Sequence, residues 1–304
     1  MMTIKKQLNH NNKIRAEKYR PAFLIRREST YMYDFNSDAL WRTITELRKK
    51  GISDPPLVHC IMNTVASNDC ANAILAVGGK PVMADSPLES AEISVKSKAV
   101  VLNMGTYSAD KELAMLKSGK SANSNFIPVI LDPVGVHATT FRKKSLSKLL
   151  EKIRFSVIKG NLHEMIEVSG EEVCRSGKTG KDFSSLIVKT AAQKTGAVCV
   201  LTGETDFISD GKKTYCIKNG TPRLTAITAT GCMTGALIGA FSTISPNLTA
   251  ALSGVSLMNL CGEIAAERKW GTGSMKVELM DLLSQITEND IKGRLKFFEF
   301  EGDK

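Results

Sequence analysis

The sequence predicts an α/β fold built on a mostly parallel central sheet. Short runs of β-branched and other apolar residues alternate with amphipathic stretches, which is typical of successive βαβ units. Several runs are almost continuously apolar, as in VVLNM, PVILD and AVCVLT, and strands covered by helices on both faces have this composition. We find no internal repeat or low-complexity linker, so residues 32–304 are predicted to form a single domain.

The first two thirds of the chain are predicted to contain six strands with helices between them. Six strands are predicted first: Leu57–Ile61, Pro81–Ala84, Val100–Met104, Val129–Asp132, Ser156–Lys159 and Val198–Thr202. The amphipathic stretches after and between them predict six helices: Asp69–Val77, Leu88–Lys96, Ala109–Lys117, Lys144–Lys152, Leu162–Val168 and Phe183–Lys194.

The C-terminal third of the chain is predicted to be mainly helical. A β-hairpin at the sheet edge precedes it, with strands Phe207–Ser209 and Thr214–Ile217 and a turn at Asp210-Gly211. Three helices are then predicted: Gly231–Ser242, Leu248–Arg268 and Met275–Ile286.

The net charge of +10 is concentrated in residues 1–31, which hold eight Lys or Arg and two Glu. One interpretation is a basic arm for nucleic acid or another polyanion. We favour a poorly ordered leader, because chain termini are often disordered, and Met32 could serve as an alternative start. We therefore expect no nucleic-acid partner.

Neither a membrane segment nor a secretory signal is expected. Lys, Asp or Asn interrupts every apolar run before it reaches the roughly 18 residues of a membrane helix, and the N-terminus lacks a signal peptide's apolar core. The seven cysteines are widely spaced without a CxxC pair, which argues against a disulfide framework and a zinc site. These features predict a cytoplasmic protein with mostly buried, unpaired cysteines.

Polar and glycine residues gather at the carboxyl ends of the predicted strands. In open α/β sheets, ligands bind beyond these ends. A site is therefore predicted at this edge, from Asn63, Asn103, Gly105, the segment 132–135, the segment 159–161 and the segment 202–204.

The segment 228–236, TATGCMTGA, carries small residues directly into an apolar helix around Cys232. The unpaired N–H groups of such a helix start attract anions, and a thiol in the first turn is expected to have a lowered pKa. An ordinary glycine-rich helix entry with a buried cysteine remains the alternative. The segment is not a Walker A loop, because the Lys after the second Gly is missing.

Asp132 and Glu164 each follow a predicted strand and could together hold Mg²⁺ through water. Taken singly, Asp132 could be a turn former and Glu164 a solvated residue of a first helical turn. Lys159 could approach phosphate oxygens, with Asn161 as a helix N-cap. His59 is interpreted as a core histidine.

Nine runs of the sequence resemble hydroxyethylthiazole kinases in order and spacing, over roughly residues 34–290. They are PLVHCIMN, GGKPVMADSP, AVVLNMGT, SGKSAN, PVILDPVGVHATTFR, VIKGNLHEM, VLTGETDFISDG, ATGCMTGALIGAF and GTGSMKVELMDLL. The resemblance implies a ribokinase-like three-layer fold, a homotrimer with active sites between subunits, and a Mg²⁺-dependent kinase. Its reaction would transfer phosphate from ATP to the primary alcohol of 4-methyl-5-(2-hydroxyethyl)thiazole in thiamine salvage.

The resemblance also implies a role for each candidate residue. Cys232 corresponds to the family's catalytic cysteine. The other correspondences are Asn63, Met83 and Ala229 for the thiazole, Lys159, Thr202 and Gly231 for ATP, and Asp132 and Glu164 for Mg²⁺ and phosphate.

Two positions depart from the family pattern. Ala229 stands where the family has Gly, and an Ala there costs about 1 kcal/mol or more if the backbone needs a positive φ. Lys159 stands where Arg is common, so the charge is kept and the bidentate fork onto phosphate is lost.

Three other functions are the alternatives to this one. A hydroxymethylpyrimidine kinase of the same fold would differ around Met83 and would more often carry Asp at position 232. A nicotinamide dehydrogenase would show a Gly-rich fingerprint after the first strand, where this chain has NTVA. A polyanion-binding module would depend on the basic leader alone.

Overall fold

The computed structural model describes residues 36–268 and 271–301. The basic leader lies outside the described residues, so its predicted disorder stays a prediction. The described chain forms one nine-stranded sheet with helices on both faces, as the sequence pattern predicts.

The strands and helices alternate through the first two thirds of the described chain. The strands are β1 (Leu57–Ile61), β2 (Lys80–Met83), β3 (Ala99–Asn103), β4 (Val129–Asp132), β5 (Val157–Asn161), β6 (Val198–Thr202), β7 (Asp206–Ser209), β8 (Thr214–Ile217) and β9 (Phe297–Glu299). The helices are α1 (Ser37–Ser53), α2 (Ser67–Ala76), α3 (Ser90–Lys96), α4 (Ala109–Ser124), α5 (Thr140–Lys152), α6 (Leu162–Ser169), α7 (Gly180–Thr195), α8 (Thr230–Ser242), α9 (Asn247–Glu267), α10 (Thr272–Gln285) and α11 (Glu288–Ile291). Short 3₁₀ helices span Val136–Ala138, Glu171–Ser176 and Pro222–Ala226.

The strand order is β2-β1-β3-β4-β5-β6-β7-β8-β9. The six strands from β2 to β6 run parallel, whereas β7, β8 and β9 add antiparallel pairs. The carboxyl ends of the parallel strands therefore meet at one edge, where the sequence places the polar and glycine residues.

Two apolar layers flank the sheet. Along β3, Ala99 and Val101 pack into one layer while Val100 and Leu102 pack into the other, which is the two-residue alternation of a strand buried on both faces. Helices α1, α2 and α8–α10 cover the first layer, and α4–α7 cover the second. The result is a three-layer α/β/α sandwich.

Helices α1 and α11 and strand β9 of the described chain were not predicted from the sequence. Helix α1 has the expected signals, because Asn36 caps it and Leu40, Ile44 and Leu47 follow at helical spacing. Strand β9 is only three residues long and pairs with β8, so the predicted hairpin lies one strand inside the sheet edge. Its pairing partner is about 80 residues away in sequence, and local patterning does not reveal such a contact.

Helix α9 is long and apolar enough, by length and composition, to cross a membrane. It lies mostly buried between other parts of the described protein, and core helices of this kind pass the same test.

Candidate active site

Cys232 lies in the first turn of α8, at the edge where the parallel strands end. The residue that caps this helix is Ala229, with φ 72° and ψ −1° in the left-handed region. That conformation turns the chain into α8 and leaves the N–H groups of Thr230, Gly231 and Cys232 without intrahelical acceptors. The strain expected of an alanine with a positive φ is therefore present at Ala229. A glycine would adopt the same conformation at no steric cost.

Two asparagine amides hold the Cys232 sulphur. The Nδ2 of Asn103 donates to Sγ at 3.2 Å, and the Nδ2 of Asn63 donates at 3.4 Å. Asn63 is anchored in turn by the backbone N–H of Ala66, which donates to its Oδ1 at 2.9 Å. The sulphur thus sits between the loop after β1 and the end of β3.

The orientation of the Asn103 amide is determined by its neighbours. Its Oδ1 accepts from the Gly105 N–H at 3.0 Å and from the Asn63 Nδ2 at 2.9 Å. Its Nδ2 must therefore face the other way, where it donates to Asp132 Oδ2 at 2.7 Å as well as to Cys232. Asn103 is fully buried and uses both hydrogens. The sequence placed Asn103 among the strand-end residues but did not single it out.

Lys159 and Asp132 form a buried ion pair beneath the start of α8. Lys159 Nζ lies 3.2 Å from Asp132 Oδ1, and both side chains are almost completely inaccessible. A Cβ built on Gly231 would lie 3.3 Å from Lys159 Nζ, and one built on Gly235 would lie 3.7 Å from Asp132 Oδ2. These two glycines let the helix approach the ion pair closely.

Glu164 lies next to this pair and is held by two backbone groups. Its Oε1 accepts from the Gly135 N–H at 2.9 Å, and its Oε2 accepts from the Asn161 N–H at 2.8 Å. The Asn161 side chain accepts from the Glu164 N–H, which completes a capping box at the start of α6. The N-cap predicted at Asn161 is present.

The carboxylates of Asp132 and Glu164 suit a hydrated Mg²⁺ ion. Each of their four oxygens accepts one hydrogen bond and keeps a further lone pair. Mg²⁺ commonly binds through one or two carboxylates, water and substrate phosphates. No group of three or more His, Cys, Asp or Glu suited to a metal occurs in the described residues, so an all-protein cage is not available there.

The predicted lowering of the Cys232 pKa is wrong. Burial raises the pKa of this thiol to about 11, and the Asp132 carboxylate acts in the same direction. Lys159 and the two amide donors oppose this shift without overcoming it. Desolvation of the buried thiol outweighs the effect of the helix dipole, which by itself would lower the pKa.

Burial and neighbouring charges also shift the pKa values of Lys159 and Asp132. Burial alone would lower the pKa of Lys159, but Asp132 and Glu164 outweigh it and hold the ammonium pKa above its ordinary value. Burial raises the pKa of the Asp132 carboxyl. Lys159 is therefore a cation at neutral pH, located directly under the helix mouth.

A cavity of about 1210 Å³ opens beside the start of α8. Thr202 and Gly231, two of the residues predicted to contact ATP, line it. Thr202 also donates to the Gly160 carbonyl at 3.3 Å, which joins the ends of β5 and β6. Asp206 and Asn259 line the same cavity, and the sequence singled out neither.

Met83 lies apart from these contacts. It is half-buried at the end of β2 and packs against the same apolar layer as Ala229 and Cys232. His59 is the core histidine that the sequence predicts, because it is fully buried and its two ring nitrogens lie 2.9 Å from Ser94 Oγ and 2.7 Å from the Ala84 carbonyl oxygen.

Known proteins agree with this architecture. The sequence profile of the hydroxyethylthiazole kinase family matches residues 47–289. The chain belongs to the hydroxyethylthiazole kinase family. It is 41% identical over 267 residues to the hydroxyethylthiazole kinase of Clostridium beijerinckii, covering 84% of this chain and 95% of that protein. It is 38% identical over 248 residues to that of Methanosarcina mazei, covering 80% and 95%.

Solved structures agree with the fold. The hydroxyethylthiazole kinase protein of Pyrococcus horikoshii superposes with a TM-score of 0.79 at 36% identity, over 86% of this chain and 100% of that one. A ribokinase-like superfamily protein of Enterococcus faecalis superposes with a TM-score of 0.58 at 12% identity, over 82% and 93%. The predicted ribokinase-like fold is therefore confirmed.

Proposed function

We propose that this member of the hydroxyethylthiazole kinase family transfers the γ-phosphoryl group of ATP to the primary alcohol of 4-methyl-5-(2-hydroxyethyl)thiazole, a step of thiamine salvage. The observation that carries the proposal is the placement of Cys232 in the first turn of α8, with the Lys159–Asp132 pair beneath that turn and an open cavity beside it. An acceptor alcohol and a nucleotide can meet at this point.

The start of α8 provides donors for the phosphoryl group. The N–H groups from Thr230 to Cys232 point out of the helix start, where the helix dipole also favours negative charge. Phosphoryl transfer depends mainly on alignment and on neutralising charge as it develops. Gly231 has no side chain to cover these donors, and Lys159 Nζ lies just behind it.

Cys232 positions the alcohol in this proposal. A thiol whose pKa is raised to about 11 is protonated at neutral pH, which disfavours a role as general base. Its sulphur is fixed by Asn63 and Asn103, so a hydroxyl bound against it has a defined place relative to the helix mouth. The loose transition state of phosphoryl transfer demands little base assistance.

Asp132 and Glu164 would hold a hydrated Mg²⁺ ion, which when bound would offset the charge of the triphosphate. Both carboxylates are already oriented by hydrogen bonds. Asp132 accepts from Lys159 and Asn103, whereas Glu164 accepts from two backbone N–H groups. Lys159 adds a fixed positive charge at the same place.

The assay that tests the function measures ADP release with hydroxyethylthiazole, with hydroxymethylpyrimidine and with no alcohol. We expect release that depends on the thiazole alcohol and that stops when EDTA removes Mg²⁺. Faster release with the pyrimidine alcohol would assign the chain to the other kinase activity of this fold. ADP release that no alcohol stimulates would contradict both.

We also propose a cytoplasmic homotrimer with active sites between subunits. Two exposed apolar residues support it, Val65 in the loop after β1 and Leu88 after β2, with 65% and 89% of their surface accessible. Both follow strands that end near the proposed thiazole contacts Asn63 and Met83. Light scattering should give three times the chain mass, and the mass of a single chain would contradict the trimer.

A further inference from the structure

Asp206 is a buried carboxylate that the proposed mechanism does not use. It is 4% exposed and opens β7 at the wall of the large cavity. Among residues 36–268 and 271–301 it makes no salt bridge. Burial raises the pKa of this carboxyl to about 6. A buried carboxylate without a salt-bridge partner costs folding free energy, and the charge of Lys159 opposes the effect of burial only in part, so the presence of Asp206 indicates a role beyond core packing.

Both Asp206 oxygens accept hydrogen bonds from neutral donors. Oδ1 accepts from the Gly203 N–H at 2.9 Å, and Oδ2 accepts from the Nδ2 of Asn259 at 2.5 Å. Gly203 directly follows Thr202, the proposed ATP contact, and begins the turn that leads into β7. Asn259 belongs to α9. The carboxylate thus ties this turn to a helix that lies far from it in sequence.

The same face of α9 also forms hydrogen bonds to a second turn, at residues 219–222. Asn259 also donates to the Asn219 carbonyl at 2.8 Å. Glu263 lies one helical turn further along and accepts from the Gly220 N–H and the Asn219 Nδ2, both at 3.0 Å. Two turns, 203–205 and 219–222, are therefore anchored to one another through α9.

Both turns line the large cavity. Gly231 lines it as well and belongs to the helix start that is proposed to take the phosphoryl group. If the phosphates bind at that end, as in the proposed function, the two anchored turns would face the nucleoside part of ATP.

We propose that the Asp206–Asn259 pair is a positioning element for the nucleotide, which fixes the two turns against the nucleoside. The inference rests on the proposed function only in assigning the cavity to ATP. Neither residue is required to touch the reacting atoms, so the pair should control nucleotide affinity and leave the alcohol site unchanged.

The experiment measures the dissociation constant of Mg-ADP by calorimetry for the wild type and for Asp206→Asn. The new amide keeps the size of the side chain but points a donor at the Asn259 amide, which is also a donor. We expect about tenfold weaker ADP binding, from the loss of a hydrogen bond to a charged group. The KM for the thiazole alcohol should stay within about twofold, since that contact is not involved.

A second variant tests whether the two residues act together. Asn259→Ala should weaken ADP binding to a similar degree, and the double variant should bind no more weakly than the weaker single variant. Losses that multiply in the double variant, or wild-type affinity in Asp206→Asn, would overturn the proposal.

A matched control separates positioning from stability. Ile208→Val removes one buried methylene from the same strand and should lower the melting temperature without changing ADP affinity. Weaker ADP binding in this control would show that ADP affinity follows the stability of the fold, and this result would overturn the proposal. If the wild type binds ADP but phosphorylates no alcohol, the proposed function fails, while the effect of Asp206→Asn on ADP binding still decides this inference.

Discussion

The proposed catalytic cluster around Cys232 and the proposed nucleotide cavity differ in how their residues are held. The cluster consists of residues on strand ends and a helix start that are joined by hydrogen bonds and one ion pair: Cys232, Asn103, Asp132 and Lys159. The cavity, at about 1210 Å³, is lined by the turns 203–205 and 219–222 together with helix and strand residues, and the anchors Asp206 and Asn259 are part of its lining. In the proposed function, regular elements therefore position the reacting groups, whereas the anchors Asp206 and Asn259 hold the two turns of the proposed nucleotide site.

The largest effect is expected where the cluster loses its buried charge. Lys159→Met leaves Asp132 buried without its cation and removes positive charge from the helix mouth. We expect kcat/KM to fall about 10²–10³-fold, as for the loss of one transition-state donor, together with a lower melting temperature. Steady-state kinetics and thermal unfolding measure both.

Lys159→Arg is the matched control for this change. It keeps the positive charge beside Asp132, so activity should stay within about tenfold of the wild type. Equal losses in both variants would show that the shape of the side chain matters and its charge does not.

Asn103→Asp tests whether the cluster depends on the orientation of one amide. The substitution puts a carboxylate oxygen where an N–H now donates to Asp132, at 2.7 Å, and to the Cys232 sulphur. We expect kcat to fall roughly 10- to 100-fold, in line with the loss of a buried charged hydrogen bond, while the KM for ATP changes little. Kinetics at saturating ATP measure this.

Asn123→Asp provides the comparison outside the site. Asn123 also bridges two segments, since its amide accepts from the Arg154 N–H and donates to the Arg154 carbonyl. It should change stability and leave kcat unchanged. If both asparagine variants lose kcat to the same extent, Asn103 has no special role.

The pH dependence of turnover distinguishes a positioning thiol from a base. With a pKa raised to about 11, the thiolate fraction of Cys232 grows about tenfold for each pH unit as the pH rises toward that value. If the thiolate were the general base, kcat would rise in proportion to this fraction. A positioning thiol predicts a kcat that changes little between about pH 7 and pH 9. A logarithmic slope near one across this range, absent in Cys232→Ser, would establish the base role instead.

The smallest effect is expected at Ala229, the residue that caps α8. Ala229→Gly relieves the left-handed φ of 72° and should raise the free energy of unfolding by about 1 kcal/mol. Urea unfolding measures it. Ala226→Gly, in the adjacent 3₁₀ helix with ordinary backbone angles, should lower stability instead. A stability loss at position 229 would mean that the helix start is not strained.

Most strands and helices could be predicted from local sequence, and long-range pairings could not. The bounds of β1, β4 and β6 follow from their apolar runs, and the cluster residues follow from being at strand ends. The Asp206–Asn259 bond joins positions 53 residues apart, and Asn259 lies within an apolar helix pattern that suggests only core packing. The thiol pKa depends on the burial of the assembled site, which a helix-start pattern does not contain.

The most direct test of the account is the rate of thiazole phosphate formation by the wild type and by Cys232→Ala with Mg-ATP. We predict that the wild type forms one phosphate ester for each ADP released. The kcat of the variant should be at least about tenfold lower, because the acceptor hydroxyl loses its partner. A variant that retains the wild-type kcat, or a wild type that releases ADP without forming the ester, would contradict it.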